Sequence, residues 1–270
     1  MCVAKPYRST VVYDPDALQD FLTGVRSKEE RKAAFNAVDK LRRVGEALAP
    51  PHMKPLQGEA NLNELRPRQG RSPTRLIYRR VGDVYVVLAV AKDKADSRRR
   101  NASPKSEAGS TPDRPRPCDK TFVIMTGHRP ANRNAMTKRH HPHDLKTHGE
   151  MVAEEMASDP DFAAEWQRLA LAREVAAELI RYRSENGLSQ RALAELLGVR
   201  QPRIVDLESG ERNPRIETLI DISRKTGLEF AIDIAPAAQQ PRLVTKRMRD
   251  SRPAHVHDDV SVVVASNRAA

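Results

Sequence analysis

The sequence predicts two folded parts of different class. The first is an α+β part of order strand, helix, helix and three strands (βααβββ), and the second an all-α part followed by one β-strand. Three observations carry that reading. Before Ala95 apolar residues recur first at helical and then at alternating spacing, which sets helices against one face of a small sheet. Between Gly187 and Pro214 two short helical patterns meet at a glycine turn. Between these regions Asp96–Lys120, DSRRRNASPKSEAGSTPDRPRPCDK, is rich in Arg, Ser and Pro and has no apolar period, so no packed structure is predicted for it. The boundaries that follow are 8–95 for the first part, 96–150 for a disordered basic linker, 151–236 for the second part and 237–270 for a disordered tail.

Thr10 to Tyr13 (TVVY) reads as the first strand. Asp14-Pro15-Asp16 caps a helix carrying Leu18, Phe21 and Leu22, because an aspartate accepts from the free N–H groups of a first turn and proline suits its first position. Ser27-Lys28-Glu29-Glu30 is a capping box, and the helix it opens is predicted to run to about Arg43 and to bury Ala33, Val38 and Leu41. Pro50-Pro51 prevents it from continuing. Beyond a loop at Gly58 three strands are predicted, Leu62 to Arg66, Arg75 to Arg80 and Val84 to Ala91. Gly70, Ser72 and Pro73 turn the chain between the first two, and Val81-Gly82-Asp83 makes a tight hairpin connection.

This order, with PPHMKPL and then NELRPRQGRSPTRLIYRRVGDVYVVLAVAKDK, resembles the RelE/HigB-like toxin family of type II toxin-antitoxin systems over about residues 8–94. The resemblance implies a metal-independent endonuclease that cuts messenger RNA on the ribosome. It implies catalytic roles for Arg66, Arg75 and Lys92, with Lys54 and Arg79 as weaker candidates. Cleavage by a ribose 2′-hydroxyl needs a cation for the charge of the in-line phosphorane, and closely set Arg and Lys side chains supply one. Alternation alone makes the same residues solvated charges on the outer face of a half-exposed sheet. A toxin of this type also closes with a helix on its sheet, which the sequence directly after Lys94 does not offer.

In the linker, Phe122 to Met125 is the one apolar island, and His140, His141, His143 and His148 form a histidine-rich patch. A metal site or a basic linker fits that patch. No second ligand set or rigid spacing accompanies it, so the expectation is no metal and no cofactor. The stretch from Met136 would serve as an independent N-terminus. The chain therefore reads either as a natural two-part protein or as two adjacent reading frames joined. Asp159-Pro160 caps a helix carrying Phe162, Trp166, Leu169 and Leu171, with Trp166 expected in the core against the bundle that follows. A second helical run, Arg173 to Asn186, leads into that bundle.

Ser189 is an N-cap, and behind it Leu193, Leu196 and Leu197 recur as a buried helix face, with Ala192 and Ala194 allowing close approach. Gly198 ends the helix, Val199 re-enters the core, and Ile204 and Leu207 line a second short helix that Gly210 closes. That is a helix-turn-helix, with Arg200, Gln201 and Arg203 facing outwards. Arg212 and Arg215 flank Asn213-Pro214, read as the start of the next helix, which runs from Ile216 to Thr226 and ends at Gly227. The run LSQ, LA, LG, Q-P, E-x-G and N-P resembles the Cro/C1-type (XRE) DNA-binding family over about residues 179–236. Two positions depart from that family: Arg200 replaces a capping Ser or Thr, and Asp206 replaces a basic or small polar residue. Asp206 is expected to pair with a neighbouring Arg or to accept from a cytosine amino group. Leu228 to Ile234 (LEFAIDI) alternates as a strand, expected to pair with a second subunit or with the first sheet. One β-prone run, Val260 to Val264, lies in the tail.

A net charge of +11 and a pI near 9.9 over 270 residues favour a polyanionic partner. Cys2 and Cys118 stand at no recognisable spacing, so neither a disulfide framework nor a thiolate metal site is suggested. Neither a long apolar run nor a signal peptide is present, so the expected setting is the cytoplasm with no membrane partner. The function expected is that of a sequence-specific repressor of the antitoxin (HigA-like) type, binding a double-stranded DNA operator as a homodimer. Gln201 and Arg203 would read bases, and Gln190, Arg200, Arg212 and Arg215 would hold phosphates. The alternatives for the first part are an mRNA endonuclease, engaging ribosome and mRNA and held inactive by a toxin-antitoxin contact in cis or between subunits, and an inactive docking module.

Overall fold

The computed structural model describes residues 9–25, 27–57, 61–91, 144–236, 255–256 and 260–268. The expectations at Cys2, Gly58, Lys92, Cys118, Phe122 to Met125, Met136, His140, His141 and His143 lie outside the described residues. The chain forms two compact units that do not coincide with the two halves of the sequence. One contains Ser9–Val38 and Pro50–Met151, and the other joins Asp39–Ala49 to Val152–Ala270.

The first unit is built on a five-stranded sheet. Its strands are β1 (Thr10–Tyr13), β2 (Met53–Pro55), β3 (Leu62–Leu65), β4 (Arg75–Val81) and β5 (Val84–Ala91), in the order β1-β5-β4-β3-β2. Only β1 pairs in parallel, against β5, because the crossover through α1 (Pro15–Gly24) and α2 (Lys28–Val44) returns the chain to the far edge. Strand β2 departs from expectation. At three residues, with Lys54 and Pro55, it is too short to show alternation, and proline is tolerated there because β2 is an edge. Asp14 caps α1 as expected, and Tyr13, Phe21 and Phe35 pack edge to face beneath the sheet. Of the apolar residues on α1, Phe21 is buried and Leu22 is 46% exposed.

Ordered chain resumes earlier than the expected linker boundary. Thr147 bridges Val12 on the open side of β1, the Tyr13 N–H donates to the Lys146 carbonyl at 3.0 Å, and Leu145 is buried in a cluster with Val12, Val84 and Val86. Thr147 and Glu150 then form a reciprocal capping box, Glu150 N–H to Thr147 Oγ1 at 3.2 Å and Thr147 N–H to Glu150 Oε2 at 2.7 Å. It opens α3 (His148–Ser158), so the linker expected over 96–150 is helical from His148. His148, placed above in a histidine patch, is buried and shares a 3.1 Å hydrogen bond through Nδ1 with the Tyr13 hydroxyl, whose pKa burial pushes up.

In the second unit α4 (Pro160–Arg168) stops short of Leu169, and α5 (Ala170–Glu185), α6 (Gln190–Leu197), α7 (Gln201–Ser209) and α8 (Ile216–Thr226) follow. Val175, Leu179, Leu193, Leu197, Ile204, Leu207, Leu219 and Ile222 make the core of this bundle. Leu196 and Val199, expected in it, are 42% and 40% exposed. Trp166 stacks on Phe162 and carries the Arg173 guanidinium over its ring, 3.8 Å from the centroid. Strand β6 (Leu228–Pro236) pairs antiparallel with β8 (Val260–Arg268), which also holds β7 (His255–Val256). Strand β6 thus pairs with the chain's own C-terminal segment and not with the first sheet, and the tail expected to be disordered contains a nine-residue strand.

The C-terminal part of α2 belongs to this unit and carries buried charge: Asp39, Lys40 and Arg43 are each less than a tenth exposed. Burial lowers the Lys40 pKa to about 8 against the pull of Glu211, Glu208 and Asp39. The folded chain has lost this proton above pH 8 while the unfolded chain keeps it to about pH 10.5, so this group makes stability rise with pH across that window. Urea unfolding at pH 7.5 and pH 10 should show wild type gaining on the order of 2 kcal/mol relative to Lys40→Met, and parallel curves would refute the buried ammonium.

Candidate nucleic-acid interface

Glycine and capping chemistry fixes the helix pair. Ser189 Oγ accepts from the Ala192 N–H at 3.1 Å to start α6, and Gly198 ends it at φ 63°. A Cβ at Gly198 would also stand 3.0 Å from Lys225 Nζ, which donates to the Leu197 carbonyl at 2.7 Å. Gly210 ends α7 at φ 68°, with Arg173 Cα and Ala176 Cβ of α5 each 3.5 Å from where a side chain would begin. Arg200 sits at the N-cap of α7 without a side-chain cap bond, which leaves its guanidinium outward.

Beneath this pair lies a buried carboxylate. Glu208 is 0% exposed and accepts from Arg183 Nε at 2.7 Å, Arg183 Nη2 at 3.3 Å and Gln190 Nε2 at 2.8 Å. One side chain of α7 thereby ties α5 and the first turn of α6. Gln190, expected on a phosphate, has its amide engaged inside the motif by this bond. Arg200, Gln201 and Arg203 are exposed at the start of α7, and Arg203 Nη2 donates to Thr218 Oγ1 of α8 at 3.2 Å. Arg212 and Arg215 are exposed in the loop before α8, and Asp206 is exposed on α7.

Asn213 does not start a helix as expected, since α8 begins at Ile216. Its Oδ1 accepts from the Ala172 N–H at 3.1 Å and its Nδ2 donates to the Arg168 carbonyl at 2.8 Å. Leu169 supplies no side-chain cap between α4 and α5, and this amide does so from the loop that carries Arg212 and Arg215.

In the first unit the structure brings Arg66 and Arg75 together at Glu64 and Gly70, and leaves them in different environments. Arg75 is 4% exposed, donates to the carbonyls of Ser72, Thr74 and Gly70, and lies 2.9 Å from Glu64. Its guanidinium thus holds the loop from Pro67 to Thr74 to the sheet. Arg66 is partly exposed, 3.7 Å from Glu64, and lies over Gly70, where a Cβ would come within 2.6 Å of its Nη2. Lys54 is exposed on β2 opposite Glu64, and Arg79 is half-buried on β4 opposite Leu62. Among the described residues no group of His, Cys, Asp and Glu could hold a metal ion, and no helix is long and apolar enough to cross a membrane.

Residues 179–232 match the Helix-turn-helix family model, and residues 24–108 match that of Phage derived protein Gp49-like, a family of RelE/HigB type. No curated protein and no solved structure matches the chain. The two family matches support a DNA-binding regulator carrying a toxin-antitoxin-related module.

Glu208→Ala and Arg203→Ala should separate support from contact. Removing Glu208 leaves Arg183 buried without its counter-ion and should cost about 3–5 kcal/mol of stability, read by thermal or urea unfolding. Arg203→Ala should leave the melting curve near wild type while weakening DNA binding.

Proposed function

We propose that the chain is a sequence-specific repressor of the HigA-like antitoxin type, fused to a HigB-like toxin module of a type II toxin-antitoxin system and acting in the cytoplasm. The observation that carries the reading is the outward set of Arg200, Gln201 and Arg203 at the start of α7, seated on the buried Glu208 anchor within the segment that matches the helix-turn-helix family. A helix entering the major groove by its N-terminal turn brings such side chains to base edges first. Arg203 has the paired donors that suit guanine and Gln201 the donor and acceptor that suit adenine, while Arg200, Arg212 and Arg215 provide positive charge for phosphates. One such module reads too few base pairs for specificity, so the reading includes a homodimer on two half-sites about 10 bp apart.

Selection of an operator from random duplexes, followed by binding isotherms, tests this. Arg203→Ala should lose about 1–3 kcal/mol on the operator and relax preference at one base position, whereas Arg215→Ala should weaken operator and scrambled duplex alike. Equal losses for Arg203→Ala on both duplexes would sink the base-reading role.

The second reading, an mRNA endonuclease acting on the ribosome, rests on Arg66. It is a partly exposed guanidinium held beside Glu64 over Gly70, and Lys92 follows the neighbouring β-hairpin in sequence. Arg75 would act here by holding the loop, not by touching phosphate. A ribosome-dependent cleavage assay on the full chain should then find Arg66→Ala inactive but as stable as the parent, and Arg75→Ala less stable. Unchanged cleavage by Arg66→Ala would remove it from the chemistry.

A further inference from the structure

We propose that the C-terminal part of α2 is a recognition element for α5, through a lattice of buried charges, and that it acts together with the segment of residues 145–148 on β1 to hold the toxin-like half of this sequence to the DNA-binding half once the covalent connection is cut. The α2 and α5 surfaces lie within one compact unit, although more than a hundred residues separate them in sequence.

The lattice alternates between the two segments. Asp39, 1% exposed, takes Arg42 on one carboxylate oxygen at 2.6 Å, and on the other takes Arg43 at 2.7 Å with Arg173 of α5 at 3.4 Å. Arg43 reaches on to Glu174 of α5. Arg181 of α5, oriented by Glu178, donates to the Arg43 carbonyl at 2.8 Å and so satisfies a backbone acceptor in the last turn of α2. Arg173 is held in place by the Trp166 carbonyl at 2.5 Å and by the Trp166 ring. Helix α5 also packs against the turn Gly45–Ala47 that follows α2.

Each segment alone would leave charge without its counterpart: α2 an Asp39 short of one guanidinium and an Arg43 short of one carboxylate, and α5 a buried Arg173. A partner with another charge order leaves the same groups unpaired in a dry interface, which costs more than a rim charge and so makes the contact selective. Such a surface fits one partner, the face of α5 that carries Arg173, Glu174, Glu178 and Arg181.

The test uses the full chain with a specific protease site placed between Ser106 and Ser110. After cutting, the two fragments should co-elute on gel filtration and dissociate only on dilution. Arg43→Met and Glu174→Gln should each weaken their association about tenfold, and the double variant should be no weaker than the worse single one, since both remove one coupled pair. Circular dichroism before cutting establishes that each variant is folded; for a variant that is not, Arg181→Gln is read in its place and should also weaken association. Separation of the wild-type fragments on cutting, single variants that bind like wild type, or losses that multiply in the double variant would each overturn the proposal. The readout involves no nucleic acid, so its failure leaves the repressor reading untouched, and failure to find an operator leaves this interface untouched.

Discussion

The DNA-facing geometry depends on one carboxylate that has no access to water. Inside the bundle Glu208 accepts from two N–H donors of Arg183 and a third from Gln190. A buried ion pair of this kind adds little net stability over an apolar pair, but it allows a single arrangement, because any slip of α7 against α5 strands a charge. The side chains at the start of α7 therefore stand on a rigid base. Lys40 feels the same carboxylate, which couples α2 electrostatically to the motif.

Helix α2 is buried nearly all round from Ala33 to Val44, and its chemistry changes along its length. From Ala33 to Val38 it carries alanines, Phe35 and Asn36, whereas residues 39–43 carry one acid and three bases. The division into compact units falls at that change. Apolar packing tolerates many partners of about the right shape, whereas paired charges tolerate few. One helix thus combines a permissive stretch with a discriminating one.

Elements governed by local chemistry were legible in the sequence. Asp14, Asp159 and Ser189 cap where expected, Gly198, Gly210 and Gly227 take the left-handed conformation that ends a helix, and the Gly82-Asp83 turn sets the β4–β5 register. What failed depended on distant partners. The pairing of Asp39 and Arg43 with Arg173 and Glu174 was not foreseen, because nothing in their sequence neighbourhood reveals those partners. The burial of the Arg75 guanidinium among three carbonyls and Glu64 was not legible either, because it has no local signature. Leu196 and Val199 fit the helical period and still lie exposed, since period gives a face but not what covers it. One missed signal was present: Thr147-His148-Gly149-Glu150 is a capping box, and it would have ended the linker before α3.

Asn213 has a chemical consequence beyond its geometry. Its amide serves two helix ends at once by accepting on one side and donating on the other, a pair of roles that only a neutral carboxamide fills. Hydrolysis of that amide would set a carboxylate against the Arg168 carbonyl, acceptor facing acceptor, at a cost of about 1–3 kcal/mol. Asparagines age by attack of the next residue's backbone nitrogen on the side chain, and here that nitrogen belongs to Pro214, which has no N–H to lose. An amide that must keep both roles is followed by the one neighbour that cannot start its conversion, so the joint between α4 and α5 is protected against that route of slow chemical wear.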